Sequence, residues 1–67
     1  MSVAKVVEIS CQSSKGFEDA IREGIRRTAK TVDAVQTAWV KEMQVDVKGG
    51  EVIGYRVNLK VTFLLNS

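Results

Sequence analysis

The chain has 67 residues, of which 45% are hydrophobic and 27% charged, with five glycines and no proline, a composition typical of a globular domain and not of a disordered or fibrous chain. Ten Lys and Arg against eight Asp and Glu give a net charge of +2, too small a bias to indicate a nucleic-acid-binding protein. Cys11 is the only cysteine and there is no histidine, which excludes a disulfide framework and argues against structural zinc.

A strand and a helix are predicted in the first half of the chain. Val3 to Cys11 read VAKVVEISC, a short run rich in β-branched residues that favours a strand. Ser13 and Ser14 offer a helix N-cap. One face of the helix that follows is apolar or small, with the i, i+3, i+4, i+7 spacing, at Phe17, Ala20, Ile21, Gly24, Ile25, Thr28, Ala29 and Val32.

The second half of the chain predicts a β-hairpin. Two β-rich runs, 35–47 and 51–65, flank Gly49 and Gly50, and two glycines in succession favour a two-residue turn because both can adopt a positive φ. A β-bulge would shift the register. With the two glycines as the loop, the predicted cross-strand pairs are Lys48 with Glu51, Met43 with Arg56, Trp39 with Lys60 and Thr37 with Thr62.

Alternation along the last strand predicts which sheet face covers the helix. One set of side chains is apolar, comprising Ile53, Tyr55, Val57, Leu59, Val61 and Phe63. The register then places Ala38, Val40, Gln36, Glu42 and Gln44 on the helix side, and Val35, Thr37, Trp39, Met43 and Val45 on the open side. An open face that combines Trp, Met and Val with Arg56 and Lys60 is typical of a partner or ligand contact.

These elements predict the α+β class: a β-α-β-β unit over residues 1–67, a single domain with a three-stranded antiparallel sheet wrapped around one helix. A compact chain of this mass exposes about 4,200 Å² when folded, and burial alone is marginal against the entropy of ordering so short a chain. We therefore expect a homo-oligomer. No charged leader precedes an apolar run and no apolar stretch has membrane-spanning length, so a cytoplasmic protein without a membrane partner is expected.

Chemical motifs are sparse. We find no phosphate loop, no metal-ligand cluster and no nucleophile–base set, and without histidine the commonest general base is missing, so the chain is not expected to be an enzyme. Trp39 stands out. It is either an aromatic residue buried between subunits or a stacking platform for a flat ligand, with Lys60 or Arg56 available to meet a phosphate or a flavin edge.

The sequence resembles the dodecin family along nearly its whole length. The similarity lies in the opening VAKVVEI, the helix FEDAIREGIRRTAKTV and the closing GEVIGYRVNLKVTFLL, of which YRVNLKVTF is the most characteristic part. The resemblance implies a dodecin-like fold, a hollow homododecamer, and the binding and buffering of flavin between symmetry-related tryptophans without turnover.

Two positions depart from the flavin-binding members of that family. Thr37 occupies the position of their stacking tryptophan, and Arg56 that of the glutamine which hydrogen-bonds the flavin ring. The leading hypothesis is nevertheless a flavin-binding (FMN or riboflavin) storage shell, whose cofactor-binding residues are Thr37, Trp39, Met43, Arg56 and Lys60. The alternative is a dodecin-like shell that binds metal ions, such as calcium, or anions at its symmetry axes without flavin, with Trp39 packed between subunits.

Overall fold

A computed structural model describes residues 2–65. Its elements in chain order are β1 (Val3–Ser13), α1 (Phe17–Thr28), β2 (Val35–Lys48) and β3 (Glu51–Leu65). The strands form one antiparallel sheet in the order β1-β3-β2, with α1 packed against β1 and β3. The predicted β-α-β-β fold is confirmed, and the last strand occupies the middle of the sheet.

The core lies between α1 and the middle of β3. Val57, Leu59 and Val61 are completely buried, and Cys11 of β1 and Ala20 of α1 close the same cluster. These β3 residues alternate along the strand and therefore share one face, as the sequence predicts. At one end of this core the rings of Phe17 and Tyr55 meet edge to face, with their centroids 5.1 Å apart.

The helix begins at Phe17, the first residue of the predicted helical face, but its cap and its end differ from the prediction. Its N-cap is Gly16, not Ser13 or Ser14, and no side chain caps it. β1 extends to Ser13, whose hydroxyl accepts a hydrogen bond from the Lys15 amide at 2.9 Å and donates one to Asp19 at 2.6 Å. At its other end the helix stops at Thr28, because the chain turns there and reaches a left-handed residue, Ala34, before β2.

Gly24 brings α1 unusually close to β1. A Cβ atom at this position would overlap the Cys11 Sγ and lie 3.2 Å from the Cys11 Cβ. Glycine therefore allows the helix to rest directly on the sheet, since any side chain would hold the two elements apart.

The hairpin turn forms as predicted, but bulges change part of the register. Gly49 and Gly50 have φ values of 59° and 78°, and Lys48 pairs with Glu51. Ile53 is then an extra residue in β3, and Lys41 is an extra residue in β2. Between these two bulges the strands are shifted by one residue, and beyond the second bulge the predicted pairing is restored.

This shift corrects the predicted faces of β2. Met43 pairs with Val57 and not with Arg56, so Met43 lies on the helix side of the sheet and the prediction that it lies on the open side is wrong. For the same reason Val45 lies on the helix side, whereas Glu42 and Gln44 lie on the open side. A third irregularity, at Gln36, turns Val35 toward Phe63 and the core.

Ile53 was predicted to face the helix, but it is the extra residue of the β3 bulge and is 55% exposed. It therefore does not belong to the apolar set that covers the helix. The pairs Trp39 with Lys60 and Thr37 with Thr62 lie beyond both bulges and are confirmed.

The helix leaves the helix-side face of β2 uncovered. Val40, Met43 and Val45 remain 38%, 51% and 40% exposed. The isolated chain exposes 4972 Å² of surface, more than the about 4,200 Å² expected for a compact monomer of this mass.

Within residues 2–65, no helix is long and apolar enough to cross a bilayer.

Candidate functional site

The candidate site lies on the open face of the sheet, the side away from α1. Thr37 and Trp39 project from β2, and Lys60 is the cross-strand partner of Trp39 on β3. The Trp39 side chain is 65% exposed, and the Lys60 Nζ lies over it, 5.4 Å from the ring centroid. At this distance the ammonium is attracted by the negative face of the indole. The arrangement is an exposed aromatic platform covered by one cation.

An ion pair flanks this platform. The Lys41 Nζ donates a hydrogen bond to the Glu8 carboxylate at 2.8 Å, and both side chains are about half exposed. The hydrogen bond from Lys41 lowers the pKa of Glu8, and the bond to Glu8 raises the pKa of Lys41. Lys41 is the extra residue of the β2 bulge, and it reaches across β3 to the opposite edge strand.

The Glu8–Lys41 pair determines the surroundings of Lys60. Glu8 is the cross-strand neighbour of Lys60 on β1, yet its carboxylate is bound to Lys41. Among residues 2–65, Lys60 has no salt bridge. Its ammonium rests on the indole instead.

Arg56 belongs to a separate cluster toward the hairpin end of the same face. Its Nη2 donates to both carboxylate oxygens of Asp46, at 3.2 and 3.1 Å, and the Gln12 Nε2 donates to Asp46 at 2.9 Å. Lys60 lies four positions beyond Arg56 along β3, about 13 Å away at the rise of an extended strand. Arg56 is therefore on the predicted face, but within one chain it does not join Trp39.

The remaining predicted residue, Met43, lies on the opposite side of the sheet. There it lines an apolar groove of about 640 Å³ between α1 and β2, together with Phe17, Ile21 and Ile25. Met43 and Trp39 are thus on opposite faces because the β2 bulge separates them.

Sequence reasoning missed Glu8, Lys41 and Asp46 as residues that shape the open face. It also placed Glu42 on the helix side, whereas the Glu42 carboxylate lies on the open side and accepts a hydrogen bond from the Asn58 amide at 3.3 Å. The only signal for Glu8 was its alternation with Val7 and Ile9 in β1, and nothing in the sequence around Lys41 marks a bulge.

Metal-binding geometry is limited in a single chain. Within the part of the chain that the structure describes, no three His, Cys, Asp or Glu side chains lie close enough to hold a metal ion. Three carboxylates lie on the open face, those of Glu8, Glu42 and Asp46, and each already accepts a hydrogen bond. The donors are Lys41, Asn58 and Arg56 respectively.

Comparisons with known proteins agree on one family. The Dodecin family model matches residues 3–66. The curated protein calcium dodecin from Mycobacterium tuberculosis is 36% identical over 63 residues, which cover 94% of this chain and 89% of the relative.

Solved structures give the same result. A mutant of the Thermus thermophilus dodecin superposes with a TM-score of 0.94 at 33% identity and covers 100% of both chains. Dodecin from Streptomyces davaonensis superposes with a TM-score of 0.93 at 29% identity and covers 98% of this chain and 97% of its own.

Proposed function

Because the chain belongs to the dodecin family, we propose that it is a non-enzymatic small-ligand binding and storage protein that works as a hollow cytoplasmic homododecamer. Its ligand in this proposal is a flavin, FMN or riboflavin, held on the open sheet face. The observation that carries the proposal is the exposed indole of Trp39 beneath the Lys60 ammonium.

The residues around Trp39 suit a planar aromatic ligand. The indole offers a rigid π-face that stacks on flat rings, and at 65% exposure it is open to a ligand. Thr37 lies two residues away on the same strand and face, about 6 to 7 Å from Trp39. The binding set proposed within one chain is Thr37, Trp39 and Lys60, whereas Arg56 and Met43 lie too far away or on the other face.

Storage without turnover is supported by the state of the polar groups on this face. The carboxylates of Glu8 and Asp46 are held by Lys41 and Arg56, so neither is positioned as a general base toward the indole. The cation next to Trp39 in the described part of the chain is the Lys60 ammonium, which can attract a ligand by its charge.

Assembly is supported by the apolar surface that the single chain leaves open. The groove between α1 and β2, with Met43 half exposed beside Phe17, Ile21 and Ile25, needs covering because exposed apolar patches of this kind favour association. Native mass spectrometry should give a mass twelve times the 7.4 kDa of one chain. A monomer or dimer at micromolar concentration would contradict the proposed assembly.

Flavin binding is tested by absorbance and fluorescence. The purified protein should carry the visible absorption of isoalloxazine. When FMN or riboflavin is added, binding should quench both the fluorescence of the flavin and that of Trp39, the only tryptophan. Trp39→Ala should weaken binding by about 1 to 3 kcal/mol, the scale of stacking on an aromatic side chain.

The matched control is Val52→Ala, which trims an exposed apolar residue at the hairpin end of β3 and should leave flavin affinity unchanged. If neither flavin is quenched by the native protein at high micromolar concentration, flavin storage is refuted.

A calcium-binding shell is the second candidate, and the relative named calcium dodecin favours it. Because three metal-ligating side chains do not meet within residues 2–65, a calcium site would have to combine carboxylates from several subunits. Such a protein is colourless, binds Ca²⁺ in isothermal titration after treatment with a chelator, and keeps that binding in Trp39→Ala.

A further inference from the structure

The ammonium of Lys60 occupies an unusual position for a charged group on an open sheet face. It lies over an aromatic ring, 5.4 Å from the Trp39 centroid, and it has no salt bridge among residues 2–65. Lys60 is only partly exposed, and it lies on the middle strand of the sheet, between β1 and β2. This cation is therefore held next to the platform where a ligand would stack.

The availability of this cation depends on a second lysine. Glu8 is opposite Lys60 in the sheet and would be its natural partner, since opposite charges on directly paired residues attract. Lys41 takes that carboxylate at 2.8 Å instead. The β2 bulge makes this possible by adding Lys41 to the open face, from which its side chain crosses β3.

We propose that Lys60 makes the Trp39 platform selective for planar ligands that carry an anionic group, and that the Glu8–Lys41 ion pair keeps Lys60 available for that group. This inference rests on the proposed function, because it specifies the class of ligand bound at the same site.

The selectivity follows from what each ligand offers the ammonium. A ring that stacks on the face of the indole covered by Lys60 must displace the ammonium from its cation–π contact. An anionic substituent such as a phosphate replaces that contact with a charge-assisted hydrogen bond. A neutral ring gives the displaced ammonium nothing in return, so it binds more weakly.

FMN and riboflavin provide the test, because they share one ring system and differ in the phosphate. Each is titrated into the assembled protein, and quenching of Trp39 and of the flavin gives the two dissociation constants. We expect FMN to bind about tenfold more tightly than riboflavin, which corresponds to about 1.4 kcal/mol. Added salt should reduce this preference, because it screens the ammonium–phosphate attraction.

Three variants separate the role of Lys60 from a general charge effect. Lys60→Met should bring the two affinities to within about twofold of each other, or about 0.4 kcal/mol, because the two flavins stack through the same ring system. Lys48→Met removes the same charge at the exposed hairpin end and should keep the FMN preference. Lys41→Met leaves Trp39 and Lys60 intact but frees Glu8 to pair with Lys60, and it should also abolish the preference.

The outcomes distinguish this inference from the proposed function. Equal binding of FMN and riboflavin by the native protein, or an FMN preference that persists in Lys41→Met and Lys60→Met, overturns the selectivity while flavin storage stands. Should Lys60→Met not assemble, Lys41→Met decides alone, because its substitution lies outside the platform. If neither flavin quenches Trp39 in any of these proteins, both the inference and the proposed function are wrong.

Discussion

Replacing Gly24 by alanine should destabilise the subunit, although alanine is the better helix former. The added methyl group would overlap the Cys11 Sγ and lie 3.2 Å from the Cys11 Cβ, inside the about 3.5–4.0 Å of a normal contact between carbon atoms. Overpacking of this kind lowers the free energy of unfolding by about 3 kcal/mol at the upper end of its usual range. The higher helix propensity of alanine raises it by about 1 kcal/mol. We expect a net loss of about 2 kcal/mol in the free energy of unfolding.

Thermal unfolding followed by circular dichroism measures this loss. For a chain of this length 1 kcal/mol corresponds to about 4–8 °C, so Tm should fall by roughly 8–16 °C. All variants are compared at one protein concentration, because the proposed assembly would make Tm depend on concentration. Gly16→Ala is the control, since nothing lies within 4 Å of a Cβ there, and its effect should stay within about 1 kcal/mol for a cap position.

A double-mutant cycle identifies the cause. Cys11→Ala alone removes the buried sulfur and should cost about 1 kcal/mol. In the double variant the overlapping Sγ is gone and only the 3.2 Å contact with the Cβ of residue 11 remains, so adding Gly24→Ala to Cys11→Ala should cost much less than it does alone, and the two effects should be non-additive by at least about 1 kcal/mol. A double variant whose loss equals the sum of the two single losses would refute close packing between Gly24 and Cys11 as the reason.

Two further predictions concern the ion pair and the core. Lys41→Met should raise the pKa of Glu8 toward its ordinary value, because the hydrogen bond from Lys41 is the main cause of the lowered pKa. NMR titration of the Glu8 carboxyl measures this pKa, and an unchanged value in the variant would contradict the prediction. Since the folded-state pKa is the lower one, the pair stabilises the native protein above the ordinary pKa of the carboxyl, and this contribution is lost as pH falls through the lowered value. Val61→Asp places a charge at a completely buried position, which should cost several kcal/mol of folding free energy. Sedimentation should therefore show no soluble assembly, and an oligomer of the same size as that of the native protein would disprove the assigned core.

The elements of the fold follow from local patterns in the sequence. The spacing from Phe17 to Ile25 predicts the helical face that packs on the sheet, and the alternation from Tyr55 to Phe63 predicts the buried face of β3. The Gly49-Gly50 pair predicts the turn, because glycine accepts the positive φ values that the turn requires. Each of these signals depends on the residues of one short segment.

The arrangement of residues in the candidate site was predicted only in part. The pairing of Trp39 with Lys60 was correct because the bulges at Ile53 and Lys41 cancel each other before that point. Met43 lies between the two bulges and was therefore placed on the wrong face. Arg56 was placed on the correct face, but its pairing with Asp46 was not foreseen, because that contact exists only when the strands are shifted by one residue.

Local patterns in the amino-acid sequence predict the three strands, the helix, the tight turn and an indole on a mixed apolar and basic face. Which side chains lie next to that indole depends on contacts between strands. A one-residue slip moves every side chain of a strand to the opposite face, and whether a bulge forms depends on pairing and twist across the whole sheet and not on the residues at the bulge alone. Lys41 therefore meets Glu8, and Lys60 meets Trp39, because of contacts between strands that are far apart in the sequence.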